Sequence, residues 1–279
     1  MKPTDNYGKN WLSVLEKDVA VEQIQLVSGN RIVFRRLGKG APLVLLHGGH
    51  GNWKHWAANI EALASRREVW VPDMPGFGDS DDIESADDFE SLVQAMCESL
   101  AMLFDKVPAI DLAGFSFGGL VAAGIASRWS VRRLALLGCA GHKGPRRDYG
   151  PMLNWRAMPD ADARRRALRQ NLAAFMLSDA ATISESAEAI YEDACVRTRF
   201  RSKAVSLAGG LAQCLEKVSA PVLLVWGAED VTAARPESFF KSLPHRSSYR
   251  FEKISPAGHW VQWERAVEVN HLLGSWFGA

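Results

Sequence analysis

Five short, unbroken apolar runs constrain what this chain can fold into: residues 43–46, 69–71, 109–113, 134–137 and 222–226, each bounded by Gly, Pro or Asp. A strand with one wet face alternates apolar and polar residues, whereas an unbroken run needs apolar surroundings on both faces. Between the runs lie stretches with helical spacing, at 53–64, 87–104, 117–129 and 260–276. Strand alternating with helix predicts the α/β class, a parallel sheet covered on both sides. Two further β-like stretches, 19–27 and 31–37, come first, and Ser28-Gly29-Asn30 between them suits a hairpin turn.

One region breaks the alternation. Residues 142–204 hold no apolar strand run but two helical patterns, at 161–177 and 183–200. Thr182 and Glu185 have capping-box spacing at the start of the second. The expected organisation is a core of residues 1–141 and 205–279 interrupted by a helical insertion at 142–204. Gly141-His142-Lys143-Gly144-Pro145 and Gly209-Gly210 mark flexible or turn-forming borders.

Composition narrows the function class. Of 279 residues, 47% are hydrophobic and 23% charged, which suits a globular domain with a sizeable core. Thirty-three basic residues against 32 acidic leave a formal charge of +1, so no global field draws the chain to nucleic acid or an anionic membrane. The expected partner is a small molecule, bound by a monomer or homodimer. No apolar run approaches the roughly 18 residues of a membrane span, and the first 17 residues lack a signal-peptide core. Cys97, Cys139, Cys195 and Cys214 are scattered without metal-ligand spacing, which reads as reduced thiols in a cytoplasmic protein.

The residues that carry chemistry stand at strand ends. Gly114-Phe115-Ser116-Phe117-Gly118-Gly119 follows one apolar run and opens a helix. A serine in a sharp strand-to-helix turn needs small neighbours, and its hydroxyl then projects beyond the sheet. Such a hydroxyl is a weak nucleophile that requires a base, and the base an orienting acid. The run at 222–226 ends in Gly227-Ala228-Glu229-Asp230, which offers Asp230 as the acid, with Glu229 beside it as the alternative. His259, on a loop before the final helix, is the expected base; His245 precedes the last strand and belongs at the opposite edge. His47, His50, His142 and His271 read as structural or surface residues. After the run at 43–46, His47-Gly48-Gly49-His50-Gly51 could present backbone amides to an oxyanion, one from Gly49 or its neighbour and a second from Phe117.

Together His47-Gly48-Gly49, Asp73-Met74-Pro75-Gly76-Phe77-Gly78-Asp79-Ser80, the turn at Ser116, Trp226-Gly227-Ala228-Glu229-Asp230 and Gly258-His259-Trp260 resemble the α/β-hydrolase superfamily. The resemblance covers the chain from Val19 onward. It implies an eight-stranded, mostly parallel sheet, a cap over the pocket formed by the insertion, a Ser116-His259-Asp230 triad, and neither metal nor organic cofactor. A serine nucleophile disfavours the dehalogenase and epoxide hydrolase branches, which use aspartate there. The segment Gly258 to Glu264 is similar to that of meta-cleavage-product hydrolases, which cut carbon-carbon bonds. Those enzymes usually have asparagine before the nucleophile and a cap arginine, where this chain has Phe115 and Ile190. Arg197, Arg199 and Arg201 are the cap cations that could restore a carboxylate contact.

The reading is therefore a serine esterase for a small, largely apolar or aromatic substrate. Carbon-carbon hydrolysis is the alternative, and a triad-retaining ligand sensor is a third possibility from a different class. Ten tryptophans are present, and Trp53, Trp56, Trp155, Trp260 and Trp263 fall in segments that converge on Ser116. With Phe115, the residues Trp53, Trp155 and Trp260 are expected to wall an aromatic, apolar pocket with little charge for a strongly anionic substrate.

Overall fold

In a computed structural model that describes residues 10–106, 109–244 and 247–278, the apolar runs become the inner strands of one sheet. Its strands are β1 (Ala20–Gln25), β2 (Arg31–Gly38), β3 (Pro42–Leu46), β4 (Glu68–Asp73), β5 (Ile110–Phe115), β6 (Val131–Leu137), β7 (Val222–Gly227) and β8 (Tyr249–Ile254). They lie in the order β1-β2-β4-β3-β5-β6-β7-β8. β2 pairs antiparallel with both β1 and β4, and every other neighbouring pair is parallel.

The helices are α1 (Trp11–Asp18), α2 (Ala57–Ala64), α3 (Phe89–Phe104), α4 (Phe117–Ala126), α5 (Ala161–Phe175), α6 (Glu185–Val196), α7 (Ser202–Ala208), α8 (Leu211–Glu216), α9 (Pro236–Ser242), α10 (Val261–Glu264) and α11 (Ala266–Phe277). Alternate strand residues supply two separate cores, because successive side chains point to opposite faces. Val44, Leu46, Leu112, Leu134, Leu136, Val222 and Leu224 pack with α3, α4 and α8. Leu43, Leu45, Ala113, Ala135, Leu137, Leu223 and Val225 pack with α1, α2 and α11. Both faces being covered is the physical reason the runs are unbroken. None of the helices among the described residues is long and apolar enough to cross a membrane.

Three local expectations need correction. The helical stretch at 53–64 is a 3-10 turn, Trp53–Trp56, followed by α2. The stretch at 260–276 breaks at Arg265, whose backbone (φ −122°, ψ 43°) separates α10 from α11. The capping box is also displaced: Ser184, not Thr182, caps α6, its hydroxyl accepting the Ala187 amide at 3.2 Å. Thr182 instead closes a preceding 3-10 turn and donates its hydroxyl to the Asp179 carbonyl. A serine immediately before the helix reaches its third amide directly, leaving no helical role for the earlier threonine.

Between β6 and β7 the chain leaves the sheet, and α5, α6 and the turns around them lie over the carboxyl ends of the strands. Asn171 of α5 ties down the 150s loop through both its amide groups, accepting from the Leu153 amide at 2.8 Å and donating to its carbonyl at 2.9 Å. The far side is fastened by charge. Asp193 accepts from Asn52 and pairs with Lys54, while Arg197 pairs with Asp79, Arg199 with Asp82 and Arg201 with Asp87. Those three arginines are thus spent on the 79–87 loop and do not face the pocket.

Candidate active site

Ser116 sits at the tip of the β5–α4 turn with φ 53° and ψ −117°, a left-handed backbone that a side-chain-bearing residue adopts only under constraint. The constraint is visible. The Ser116 amide donates to Leu137 O at 2.8 Å, and its carbonyl accepts from Gly119 and Ala140 at 3.0 and 2.9 Å. A β-carbon at Gly114 would collide with the Gly118 carbonyl, and one at Gly118 with that of His47, so glycine is required at both.

The serine hydroxyl lies 2.9 Å from His259 Nε2, and His259 Nδ1 lies 3.0 Å from both Asp230 oxygens. Asp230 is fully buried at the end of β7. Burial pushes its carboxyl up, but His259 and the hydroxyl and amide of Thr232 outweigh that and leave it below the usual range. The imidazole bound to that carboxylate keeps its proton on Nδ1 and offers Nε2 to the serine. Thr232 has no part in the sequence reading. Its hydroxyl and amide donate to Asp230 Oδ1 at 2.7 and 2.8 Å, an Asx-type turn whose only trace in the sequence is the spacing Asp230-x-Thr232.

Glu229 and Glu264 resolve into different tasks. Glu229 accepts the Ala257 amide at 2.7 Å, so it braces the His259 loop and does not orient the imidazole. Glu264 accepts the Gly258 amide at 2.6 Å with one oxygen and Ser178 N and Oγ at 2.8 Å with the other, which joins the loop to the end of α5. Burial raises its carboxyl.

Across from His259, the loop after β3 presents Gly49. Among the described residues neither the Gly49 amide nor the Phe117 amide has an internal acceptor, and both residues line the cavity over Ser116. The neighbouring histidines shape this loop. His47 Nε2 accepts the Met74 amide at 3.0 Å while Nδ1 donates to Gly48 O at 2.8 Å, which defines a neutral ring that burial pushes below its ordinary pKa. His55 Nδ1 accepts the Gly48 amide at 3.2 Å, and burial pushes its imidazole down further. Gly48 is therefore tied inward, leaving the next amide for the cavity. His142 lines the cavity too, His271 is exposed on α11, and His245 lies outside the described residues.

The cavity measures about 310 Å³, the lower end of the range for small-molecule sites. Its aromatic wall is made by Phe115, Phe117, Tyr149, Trp155, Phe175 and Tyr191. Of the three tryptophans expected in the wall, Trp155 lines the cavity, whereas Trp53 and Trp260 do not. Trp53 is buried beneath the loop, its amide on Asp73 and its ring under Arg35 and Lys54. Trp260 is fully buried, donates Nε1–H to His55 O at 3.0 Å and stacks on Trp263 with 4.7 Å between centroids. Flanking a site in sequence places them in its support, because a large ring with one donor is best satisfied inside.

The charge expectation is also overturned. Among the described residues Arg146, Arg156 and Lys203 line the cavity, and no carboxylate does. Near-neutral composition hid this, because a total charge does not say which side chains line the cavity. Among the described residues no group of three His, Cys, Asp or Glu is placed to hold a metal ion.

The sequence profile of the alpha/beta hydrolase family matches residues 43–272. A dihydrolipoyllysine-residue acetyltransferase component of an acetoin cleaving system from Pseudomonas putida is 30% identical over 246 residues, 84% of this chain, which spans only 62% of that relative's length. A 2-hydroxy-6-oxo-6-phenylhexa-2,4-dienoate hydrolase from Comamonas testosteroni is 27% identical over 287 residues, with 96% of each chain covered. Among solved structures, an esterase from Rhodococcus sp. ECU1013 superposes with a TM-score of 0.77 at 22% identity, covering 93% of this chain and 98% of its own.

Proposed function

The chain belongs to the alpha/beta hydrolase family, and from that premise we propose that it is a serine hydrolase cleaving the carboxylic ester of a small substrate with a largely apolar or aromatic body. The observation that carries this reading is the unbroken line from Asp230 through His259 Nδ1 and Nε2 to Ser116 Oγ, with links of 3.0 and 2.9 Å. As Ser116 Oγ attacks the ester carbonyl, His259 Nε2 takes the hydroxyl proton and Asp230 stabilises the imidazolium. The carbonyl oxygen gains negative charge and is met by the free amides of Gly49 and Phe117. Collapse of the tetrahedral intermediate breaks the bond to the alcohol oxygen, which leaves with the proton from His259. Water then attacks the acyl-serine, giving one proton to His259, and as the bond to Ser116 Oγ breaks His259 returns that proton to the serine oxygen and the carboxylic acid departs.

A second reading, hydrolysis of a carbon-carbon bond, is favoured by the near-full-length likeness to the Comamonas dienoate hydrolase. Phe115 and the buried Ile190 weigh against it, because both positions are apolar. Free cysteines at all four positions support a cytoplasmic location.

The test is turnover of an acyl-length series of 4-nitrophenyl esters beside a chromogenic dienoate, by wild type and Ser116→Ala. Repeated turnover of the esters, abolished in the variant, is expected. Faster turnover of the dienoate would transfer the assignment to carbon-carbon cleavage, a single stoichiometric turnover would indicate a sensor, and undiminished turnover by Ser116→Ala would refute the serine mechanism.

A further inference from the structure

The cations of the cavity divide into two groups. Arg146 lies near His142, on the flank that holds His259 and Thr232. Arg156 and Lys203 lie by the loop that carries Gly49, where both charges act on His50, the next residue. Each is held by its own element. Arg156 stacks over Trp155 with its guanidinium carbon 4.1 Å from the ring centre and donates one Nη2–H bond to Cys195 O at 3.2 Å, leaving its remaining N–H groups uncommitted among the described residues. Lys203 follows Ser202, which is buried against the oxyanion loop with its hydroxyl donating to Gly49 O at 3.3 Å. Among the described residues Lys203 has no ion-pair partner, and no aspartate or glutamate lines the cavity to neutralise either charge.

This pair contrasts with the nearby cap arginines. Arg197, Arg199 and Arg201 each meet an aspartate, so their charges are consumed in fastening the fold. Arg156 and Lys203 are exposed at the cavity mouth, where an anion could reach them without losing all its water and where an uncompensated pair of positive charges attracts one.

The geometry points to an anion subsite formed by Arg156 and Lys203, for which the substrate is an ester whose acyl half has an apolar body and ends in a carboxylate. The placement on the acyl half follows from proton delivery. His259 must protonate the leaving oxygen, so the alcohol half occupies the His259 flank and the acyl half extends past Gly49 toward Arg156 and Lys203. The inference rests on the ester-hydrolase reading and deepens it. The apolar wall takes the body of the acyl chain, and the two cations at the mouth select its far end.

The experiment uses the whole protein and a series of 4-nitrophenyl hemiesters of linear dicarboxylic acids, each paired with the neutral ester of equal chain length. A third set has its carboxylate on the alcohol half. The quantity read is the ratio of kcat/KM for hemiester to neutral ester, which cancels any general loss of activity. In wild type at least one chain length is expected to favour the hemiester, and salt should weaken that preference. Arg156→Gln and Lys203→Gln should each lower the ratio about fivefold, the size of an exposed charge contact, and Lys203→Glu should lower it further. A wild-type ratio that never exceeds one, a ratio unchanged in the variants, or a preference confined to alcohol-half carboxylates would overturn the subsite. Neutral esters hydrolysed by wild type but not by Ser116→Ala keep the underlying reading intact in those cases; neutral esters left untouched would count against that reading instead.

Discussion

Replacing Asp230 with asparagine isolates the contribution of one buried charge. The carboxylate is fully buried, lies 3.0 Å from His259 Nδ1 and is the acid that faces the imidazole. When His259 takes the serine proton, an imidazolium forms beside it. With charge centres about 4 Å apart and an effective dielectric constant of about 20, their attraction is about 4 kcal/mol. Removing the negative charge should therefore slow acylation about a thousandfold. Tautomer reversal adds to this loss, because an amide N–H facing Nδ1 would place the imidazole proton on Nε2, where it cannot accept from Ser116. The assay is pre-steady-state release of 4-nitrophenol from a saturating short-chain ester, with urea unfolding to establish that the variant is folded. Thr232 can still donate to the remaining amide oxygen, so the turn should survive. A folded Asp230→Asn enzyme retaining more than about a tenth of the wild-type rate would refute the electrostatic account of the site.

Other consequences are equally direct. Burial keeps His47 and His55 neutral in the folded chain, whereas each binds a proton in the unfolded chain below its ordinary value of 6.5. The unfolded state then holds more protons, so stability should fall as pH drops below about 6.5, by at most about 1.4 kcal/mol per pH unit for each ring and more fully for His55, the more strongly lowered of the two. In urea titrations between pH 7 and 5, His55→Asn should reduce that slope by about one proton, and an unchanged slope would contradict the assignment. Gly114→Ala drives a methyl group into the Gly118 carbonyl and should cost about 3 kcal/mol in the same assay; undiminished stability would show that the two segments are not in close approach. Trp260→Phe loses the donor to His55 O and should lower stability by about 1 kcal/mol while leaving KM for small esters in place. Trp155→Ala should change KM instead, and the opposite pattern for this pair would reverse their placement inside and outside the cavity.

The sheet and the candidate site residues were legible because each depends on local chain chemistry. Unbroken apolar runs can be satisfied only by cover on both faces, and the two buried clusters provide it. Ser116, Asp230 and His259 each follow a strand, and a parallel sheet brings those ends to one edge. The pocket was less legible because it is made by folding the insertion over that edge. Nothing in the order of residues tells whether Trp260 turns toward Ser116 or toward His55, and only packing decides it. Charge failed as a guide for a related reason. A total of +1 is an average, while the charge at the cavity is set by which cations lack a partner: Arg197 meets Asp79, but Lys203 meets no acid among the described residues. Glu229 and Asp230 are adjacent and chemically alike, so only the paths of their side chains, one to the Ala257 amide and the other to His259, separate them.

The most direct test of the central claim is intact-mass spectrometry of the enzyme quenched in acid within milliseconds of mixing with a 4-nitrophenyl ester, followed by peptide mapping. Wild type should gain one acyl group, located on Ser116, and the adduct should decay as product appears. Absence of any adduct during turnover at every quench time, or an adduct on another residue that persists in Ser116→Ala, would contradict an acyl-enzyme at Ser116.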